Sequence, residues 1–139
     1  MKKVAIVYWS GTGNTEAMAE AVKKGAEEAG AEVEVVAPAD FHDVSAYDSV
    51  GFGCPAMGAE QLEEGEFQPM FDEVKPSLAG KRIALFGSYG WGDGEWMRTW
   101  ESDCDAVGAI RVADSVIANN EPDDDTINEC VALGKALAA

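Results

Sequence analysis

The stretch VAIVYWSGTGNT, residues 4–15, runs from an apolar segment straight into a loop that contains two glycines. Val4–Trp9 carries no charged residue, which is typical of a strand buried on both faces of a sheet. Apolar and small residues then recur at helical spacing over residues 18–29, and Gly30 can supply a left-handed helix end. Small residues on this face, among them Gly25, are expected to let the helix lie close to the sheet. Strand, loop and helix in this order predict the first unit of a parallel α/β sheet.

The same alternation continues along the rest of the sequence. Four further runs have the pattern of strands: Glu32–Ala37, Ser49–Gly53, Arg82–Gly87 and Ile110–Ala118. Three further segments have helical patterns: Phe67–Leu78, Gly94–Val107 and Pro122–Leu137. Strands that alternate with helices favour parallel pairing, right-handed crossovers and helices on both faces of the sheet. We therefore predict an α/β fold, a single-domain doubly wound sheet of five parallel strands in which residues 1–139 form one domain.

Composition narrows the classes of protein to which the chain can belong. Its 139 residues are 47% hydrophobic, and 10 basic against 26 acidic side chains give a formal net charge of −16. This balance argues against a nucleic-acid-binding protein, because neutralising phosphates needs clustered Lys and Arg. The longest apolar run in the first half is far shorter than the ~20 residues of a membrane span, so no membrane association is expected. Three widely spaced cysteines and one histidine predict neither a disulfide framework nor a metal site, and a cytoplasmic protein with free thiols is expected.

In doubly wound sheets ligands bind at the carboxyl ends of the strands, so the loops after strands one, three and four are the candidate site. The first loop is Ser10–Thr15, in which two glycines allow a tight backbone at the amino end of a helix. Hydroxyl and amide side chains surround these glycines: Ser10, Thr12, Asn14 and Thr15. Such a loop is suited to a phosphate group. The alternative is an ordinary helix cap, but a cap needs only one such side chain, so we favour the phosphate interpretation.

The sequence lacks the phosphate-binding motifs that perform chemistry. A nucleoside-triphosphate loop needs a lysine, and none lies within residues 9–22. A dinucleotide-binding loop needs a third glycine where Glu16 stands. A phosphatase loop beginning at Cys54 would need arginine in place of Glu60, and a phosphate-accepting receiver domain would need aspartate in place of Ser10 or Cys54. We therefore expect neutral donors to hold a phosphate monoester on which no reaction takes place.

The second loop is Gly53–Glu60. Pro55 stiffens this loop, Gly58 can adopt positive φ, and Met57 can lie flat on an aromatic surface. The signal is weak by itself, since Met57 could equally fill a gap in the core. Cys54 is expected to be a small buried hydrophobic residue rather than a nucleophile, because no base or cation accompanies it.

The third loop is Ser88–Gly94, in which glycines alternate with other residues around Trp91. A tryptophan between glycines is seldom a core residue, because the flexible backbone around it cannot hold one packing arrangement. We interpret Trp91 as a plate that stacks on a flat ring. Trp96 and Trp100, four residues apart on the following helix, are expected to lie in the core.

Three motifs together resemble the flavodoxins, specifically the short-chain type of anaerobic bacteria. They are S-G-T-G-N-T at residues 10–15, M-G-A-E at residues 57–60 and Y-G-W-G at residues 89–92. The resemblance covers the whole chain, and residues 110–119 leave no room for the extra loop that splits strand five in long-chain members. It implies the strand order 2-1-3-4-5, with FMN bound where the winding reverses between strands one and three.

The resemblance also implies a role for each loop. The FMN phosphate is expected in the first loop, with Met57 on the inner face of the flavin ring and Trp91 on the outer face. Glu60 is expected to accept a hydrogen bond from the flavin N3–H, and backbone groups near Tyr89 and Gly90 are expected to meet the pyrimidine edge. The residues so assigned to FMN are Ser10, Gly11, Thr12, Gly13, Asn14, Thr15, Pro55, Ala56, Met57, Gly58, Ala59, Glu60, Ser88, Tyr89, Gly90, Trp91 and Gly92.

A member of this family is expected to shuttle single electrons at low potential, to replace ferredoxin between redox enzymes, and to catalyse no transformation by itself. One-electron reduction is expected to protonate flavin N5 and to flip the Gly58–Ala59 peptide, so that the Gly58 carbonyl accepts a hydrogen bond from the N5–H. If the flipped turn is of type II, Ala59 needs positive φ, a conformation that favours glycine or asparagine. Replacing Ala59 with glycine is then expected to raise the first reduction potential.

Acidic residues crowd the loops that are assigned to the flavin ring: Glu60, Glu63, Glu64, Glu66, Asp93 and Glu95. Charge runs are usually solvated faces, yet these six, the acidic rim below, would steer basic partners and oppose an added electron. The expected partners are therefore basic surfaces of reductases and oxidoreductases that otherwise use ferredoxin, and we expect a monomer. Two alternatives remain: an FMN-dependent quinone reductase, and a flavodoxin-like activator dedicated to one enzyme.

Overall fold

In the computed structural model, which describes residues 2–58 and 60–139, strands alternate with helices along the chain. The strands are β1 (Lys3–Tyr8), β2 (Glu32–Val36), β3 (Ser49–Gly53), β4 (Arg82–Tyr89), β5 (Ile110–Arg111) and β6 (Val116–Asn119). The helices are α1 (Asn14–Glu28), α2 (Phe67–Val74), α3 (Glu95–Ala106) and α4 (Asp124–Ala138). None of the helices in the described part of the chain is long and apolar enough to cross a membrane.

All strand pairs of the sheet are parallel, in the order β2-β1-β3-β4-β5, which confirms the predicted α/β architecture. The predicted fifth strand Ile110–Ala118 is wrong in one respect, since it is interrupted between Arg111 and Val116. Both pieces, β5 and β6, pair with β4. Side chains bind the segment between β5 and β6 to α3. The Ser115 hydroxyl and the Arg111 guanidinium both donate to the Glu101 carboxylate, at 2.6 and 3.2 Å.

The core consists of one layer on each face of the sheet. Alternate residues of β1 enter different layers, with Ala5 and Val7 facing α2 and α3 and with Val4 and Ile6 facing α1 and α4. All four are fully buried, as the apolar run in the sequence predicts. The α2/α3 layer is rich in aromatic rings, among which Trp100 contacts two phenylalanines edge-on with ring centroids 5.5 and 5.8 Å apart.

Glycines let α1 and α4 approach each other very closely. A Cβ atom added at Gly25 of α1 would overlap the backbone carbonyl of Val131, and one added at Gly134 of α4 would overlap that of Val22. The helix does pack on the sheet, where Ala19 and Val22 lie in one cluster with Val4 and Ile6, but Gly25 itself faces α4 and not the sheet. The position of α1, and of the loop that precedes it, is set in part by its contact with α4.

Helix ends follow local sequence signals. The predicted helix Phe67–Leu78 is too long, because α2 ends at Val74 and a short 3-10 turn, Lys75–Ser77, follows. Pro76 explains this difference, since proline lacks the N–H that would continue the α-helical ladder. Left-handed glycines end α1 and α3 as predicted, with φ of 91° at Gly30 and 84° at Gly108.

Candidate functional site

The three predicted loops meet at the carboxyl edge of the sheet, because β1, β3 and β4 are neighbours in it. Backbone hydrogen bonds continue the pairing beyond the strand ends. The Trp9 N–H donates to the Gly53 carbonyl at 3.0 Å, and the Ala56 N–H donates to the Ser88 carbonyl at 3.0 Å. The first loop is thereby joined to the second, and the second to the third.

The first loop starts α1 through a left-handed glycine, since Gly13 has φ of 93°. The Ser10 hydroxyl oxygen accepts hydrogen bonds from the amides of Gly13 at 3.1 Å and Glu16 at 3.3 Å. Ser10 therefore fills the capping role that we considered as the alternative to phosphate binding. The two roles are compatible, because a hydroxyl that accepts twice still has one proton to donate. Its capping bonds leave Ser10 as a donor toward any further partner.

Thr15 gives this loop an unsatisfied group. Its side chain is 1% exposed, and its hydroxyl has no hydrogen-bond partner among the described residues. A buried hydroxyl without a partner costs about 1–3 kcal/mol. A phosphate oxygen at the first turn of α1 would remove that cost, whereas helix capping would not need Thr15. The Thr12 hydroxyl, in contrast, accepts a long hydrogen bond of 3.5 Å from the Asn14 amide.

The indole ring of Trp9 packs against the backbone of the first loop. A Cβ atom at Gly11 would lie 3.0 Å from the Trp9 ring, so a glycine there lets the loop rest on the indole. The indole N–H donates to the Glu66 carboxylate at 3.2 Å, which fastens Trp9 to the segment that precedes α2. We did not predict this contact, because nothing in the local sequence links Trp9 to Glu66.

The second loop turns at residues 57–60. The Glu60 N–H donates to the Met57 carbonyl at 2.8 Å, and the Met57 N–H donates to the Gln61 carbonyl at 2.9 Å. Met57 is half-buried and Gly58 is exposed. Ala59 lies outside the described residues, so the expectation about its φ stays a prediction. Among the described residues of this turn, Glu60 has positive φ, at 52°.

Glu60 occupies a crowded acidic position between the second and third loops. One of its carboxylate oxygens is buried without a hydrogen-bond partner within the described residues. Burial raises the pKa of Glu60, and the charges of Asp93 and Glu95 raise it further, while Arg98 acts in the opposite direction. Gly92 makes room for this carboxylate, since a Cβ atom there would overlap it. Glu60 therefore has an acceptor that is available to a ligand N–H.

The third loop exposes its tryptophan. Trp91 is 65% exposed, whereas Trp96 and Trp100 are 1% and 2% exposed, which confirms the predicted division between loop and core. Gly92 and Gly94 have φ of 87° and 88°, so the backbone around Trp91 follows a path that other residues would strain. The indole of Trp91 is thus free to contact a ligand on its face.

Cys54 has the structural role that we predicted. It is fully buried, and burial raises the pKa of its thiol to about 12, which removes it as a nucleophile at neutral pH. Its sulfur accepts from the Glu63 N–H at 3.4 Å, and its carbonyl accepts from the Trp96 indole N–H at 3.2 Å. Cys54 thereby connects the second loop to α3.

Two members of the acidic rim accept hydrogen bonds from backbone amides or from an indole. The Glu63 carboxylate accepts hydrogen bonds from the amides of Gly65, Glu66 and Phe67 at 2.7, 2.8 and 2.8 Å. Burial acts to raise the pKa of Glu63, but these three amides hold it below its usual value. Glu66 in turn accepts from Trp9. Two further members have side-chain partners, since the Arg98 guanidinium donates to Asp93 at 3.1 Å and the Gln61 side-chain amide donates to Glu64.

Because Glu63 caps the start of α2, the Glu63→Ala variant should unfold more easily at neutral pH. We expect a loss of about 1 kcal/mol, the usual cost of a lost cap. A depressed pKa stabilises the fold above the unfolded-state value near 4.3, and that stability is lost as pH falls through the folded-state pKa. Urea unfolding at several pH values measures the difference, with Glu129→Ala as a control that also removes one carboxylate. A constant difference down to acidic pH would contradict the capping role.

A fourth loop, which we did not predict, reaches the same edge after β6. Asn120 has φ of 60°, its N–H donates to the Tyr89 carbonyl at 2.7 Å, and its own carbonyl accepts from the Ser88 hydroxyl at 2.7 Å. The sequence contains a signal that could have found it, since asparagine tolerates the left-handed region and the pair Asn119–Asn120 directly follows the strand predicted to end at Ala118.

Comparison with known proteins agrees with this geometry. The family model described as Flavodoxin matches residues 6–134 of the chain. The chain belongs to the flavodoxin family. It is 48% identical over 137 residues to the flavodoxin of Megasphaera elsdenii, which covers 97% of this chain and 98% of that protein. It is 46% identical over 135 residues to the flavodoxin of Clostridium beijerinckii, at 96% and 97% coverage.

Solved flavodoxin structures superpose on the whole fold. The solution structure of two-electron reduced Megasphaera elsdenii flavodoxin has a TM-score of 0.88 and 47% identity, and it covers 97% of this chain and 98% of its own. A flavodoxin structure from the domain Archaea has a TM-score of 0.83 at 29% identity. Membership of this family makes the chain an electron-transfer flavoprotein that uses FMN, not an enzyme.

Proposed function

We propose that this flavodoxin is a low-potential one-electron carrier that substitutes for ferredoxin between redox enzymes, with residues 1–139 as its single FMN-binding domain. The observation that carries the proposal is the pair of unsatisfied polar groups at the two ends of the site. Thr15 offers a buried hydroxyl at the first loop, and Glu60 offers a buried carboxylate oxygen at the second. A ligand with a phosphate at one end and an N–H at the other satisfies both.

Different residues of the chain would bind different parts of FMN. The hydroxyls of Ser10 and Thr15 and the amino end of α1 would hold the phosphate without a cation. Met57 and Trp91 would cover the two faces of the ring, and Glu60 would orient its pyrimidine edge. FMN, when bound, supplies the chemistry of accepting and donating electrons one at a time.

The charges of the acidic rim support the proposed low potential, and Asp93 contributes least because Arg98 pairs with it. At a separation of ~10 Å in water, one carboxylate opposes an incoming electron by about 0.4 kcal/mol before screening by salt. Glu63 and Glu66 contribute less than this, because backbone amides and an indole already neutralise part of their charge. The rim therefore lowers the potential by a modest amount.

Charge also supports the kind of partner that we propose. With 26 acidic and 10 basic side chains, the molecule attracts basic surfaces, and the rim places acids beside the ring that exchanges electrons. The partners that we propose are reductases and oxidoreductases that otherwise use ferredoxin, met by a monomer that binds no nucleic acid. All three cysteines are free and buried, which fits a reducing compartment, and we propose the cytoplasm.

Purified protein tests the proposal directly. We expect one FMN per chain on denaturation, no FAD, and no metal in the purified protein. A spectroscopic redox titration should show two separate one-electron steps, and the protein should replace ferredoxin in an assay with a ferredoxin-dependent reductase. Steady-state NADH–quinone turnover by the protein alone would instead identify a reductase, and release of FAD would exclude the proposed phosphate site.

Glu60 should make FMN binding depend on pH. Accepting from the flavin N3–H favours the ionised carboxylate, so affinity should fall as pH drops through the raised pKa of Glu60. The Glu60→Gln variant should bind FMN more weakly at neutral pH and should show a flatter pH profile. Fluorescence titration of FMN from pH 8 to pH 5 measures this. The same slope in wild type and variant would assign the proton to another group.

A further inference from the structure

The geometry points to Asn120 as a positioning residue for the third loop, one that sets where Trp91 stands relative to the ring of FMN. This inference rests on the proposed function, because it assumes that FMN occupies the three loops. Asn120 would act through its backbone, which bonds to Ser88 and Tyr89 on β4.

The hydrogen bond from Asn120 to Tyr89 lies where the pairing of β4 with β6 ends, two residues before Trp91. β4 and β6 remain paired as far as Tyr89 and Asn119, and the Asn120 N–H then donates to the Tyr89 carbonyl at 2.7 Å. Beyond this point the chain passes through Gly90 to an indole that is 65% exposed. The side chain of Asn120 also lies beside Gly90, since its Oδ1 would be 3.4 Å from a Cβ atom there.

The hydrogen bond between Ser88 and Asn120 also connects the fourth loop to the second loop. Ser88 is 5% exposed, and its hydroxyl donates to the Asn120 carbonyl at 2.7 Å. The carbonyl of Ser88 accepts from the Ala56 N–H, so Ser88 lies between the fourth loop and the second. If Asn120 moved, a buried hydroxyl would lose its partner, which makes displacement costly.

Both bonds depend on the left-handed conformation of Asn120, with φ of 60°. Asparagine tolerates this conformation, glycine adopts it freely, and a β-branched residue strongly disfavours it. In Asn120→Val the backbone at position 120 would leave the left-handed region in the free protein, and both hydrogen bonds to β4 would break. FMN binding would then have to restore the strained conformation, so the strain would appear as lost affinity.

Four variants separate this role from general stability. In Asn120→Gly the backbone can keep both bonds, whereas Asn120→Val should break them. Ser88→Ala removes the hydroxyl bond without adding strain and serves if the valine variant fails to fold. Gly30→Val is the matched control, since Gly30 has φ of 91° with open space around it and follows the far end of α1, about 22 Å from the first loop.

Two readouts are needed for each variant: the FMN dissociation constant, and amide hydrogen exchange of residues 89–92 and 120 in the apoprotein. We expect Asn120→Val to bind FMN about tenfold more weakly and to lose protection at the Asn120 amide. Ser88→Ala should weaken binding several-fold, while Asn120→Gly should stay within about twofold of wild type. Gly30→Val should lower the melting temperature only.

Unchanged affinity and protection in Asn120→Val, or an equal loss in Asn120→Gly, would overturn the inference. If Asn120→Val does not fold, wild-type affinity in Ser88→Ala would overturn it. Failure of the proposed function gives a different result, because it would appear in wild-type protein, either as no FMN binding or as NADH–quinone turnover without activity in the ferredoxin-dependent assay. Hydrogen exchange of the apoprotein would still report whether Asn120 holds the loop.

Discussion

Trp91→Ala should weaken FMN binding without destabilising the fold, and Trp100→Ala should have the opposite effect. Trp91 is 65% exposed and packs on no core cluster of the described residues, so its removal costs the fold little. Stacking on a large aromatic ring contributes about 1 kcal/mol or more beyond area burial, which is at least several-fold in affinity.

Trp100 is 2% exposed and lies between two phenylalanine rings of the α2/α3 layer. Replacing a buried tryptophan with alanine costs about 3–5 kcal/mol. Its indole N–H has no partner within the described residues, so the native side chain already carries a penalty, and we expect the lower end of that range. The melting temperature should fall by roughly 10 °C.

Fluorescence titration with FMN and thermal unfolding of the apoproteins measure the two effects. Affinities must be compared at temperatures at which both variants are fully folded. An equal loss of FMN affinity in the two variants would mean that Trp91 does not cover the ring. A large stability loss in Trp91→Ala would mean that the indole packs on the protein after all.

The layout of the site could be predicted from the sequence because it depends on local signals. An uncharged run such as Val4–Trp9 fixes a buried strand, and the strand–helix alternation fixes parallel pairing. Loops that follow neighbouring parallel strands must then meet at one edge. The exposure of Trp91 could likewise be predicted from the glycines that flank it.

Features that depend on contacts between distant segments could not be predicted in this way. The helical pattern shows that Gly25 lies on a buried face of α1, but not that this position contacts α4 while its neighbours on the helix pack on the sheet. The Trp9 indole donates a hydrogen bond to Glu66, 57 residues later in the sequence. The Asn120 N–H reaches the Tyr89 carbonyl only because β6 and β4 are paired. Ser10 shows a different limit, since its hydroxyl accepts two bonds that cap a helix and still has a proton to donate, so that capping and phosphate binding do not exclude each other.

The contact between α1 and α4 predicts a second large effect, in which two contributions oppose each other. Gly134→Ala lies in the interior of α4, where helix propensity alone would stabilise the protein by roughly 1 kcal/mol. The added Cβ would overlap the Val22 carbonyl oxygen and would lie 2.7 Å from the Ala26 backbone nitrogen. Overpacking costs about 1–3 kcal/mol and sometimes more, and backbone atoms cannot rotate away. We expect a net loss of about 2 kcal/mol.

The same substitution should also reach the FMN site, because α1 would have to move away from α4. The first turn of α1 contains Asn14 and Thr15, so a shift of the helix changes their position relative to Ser10 on the loop before it. Affinity for FMN should therefore fall several-fold in Gly134→Ala, as measured by titration of fully folded protein.

Leu133→Ala is the matched control, because it loses stability by leaving a cavity and does not push α1. Wild-type stability in Gly134→Ala would show that the helices have room for a methyl group. An equal loss of affinity in both variants would show that general loosening, and not the position of α1, controls the phosphate loop.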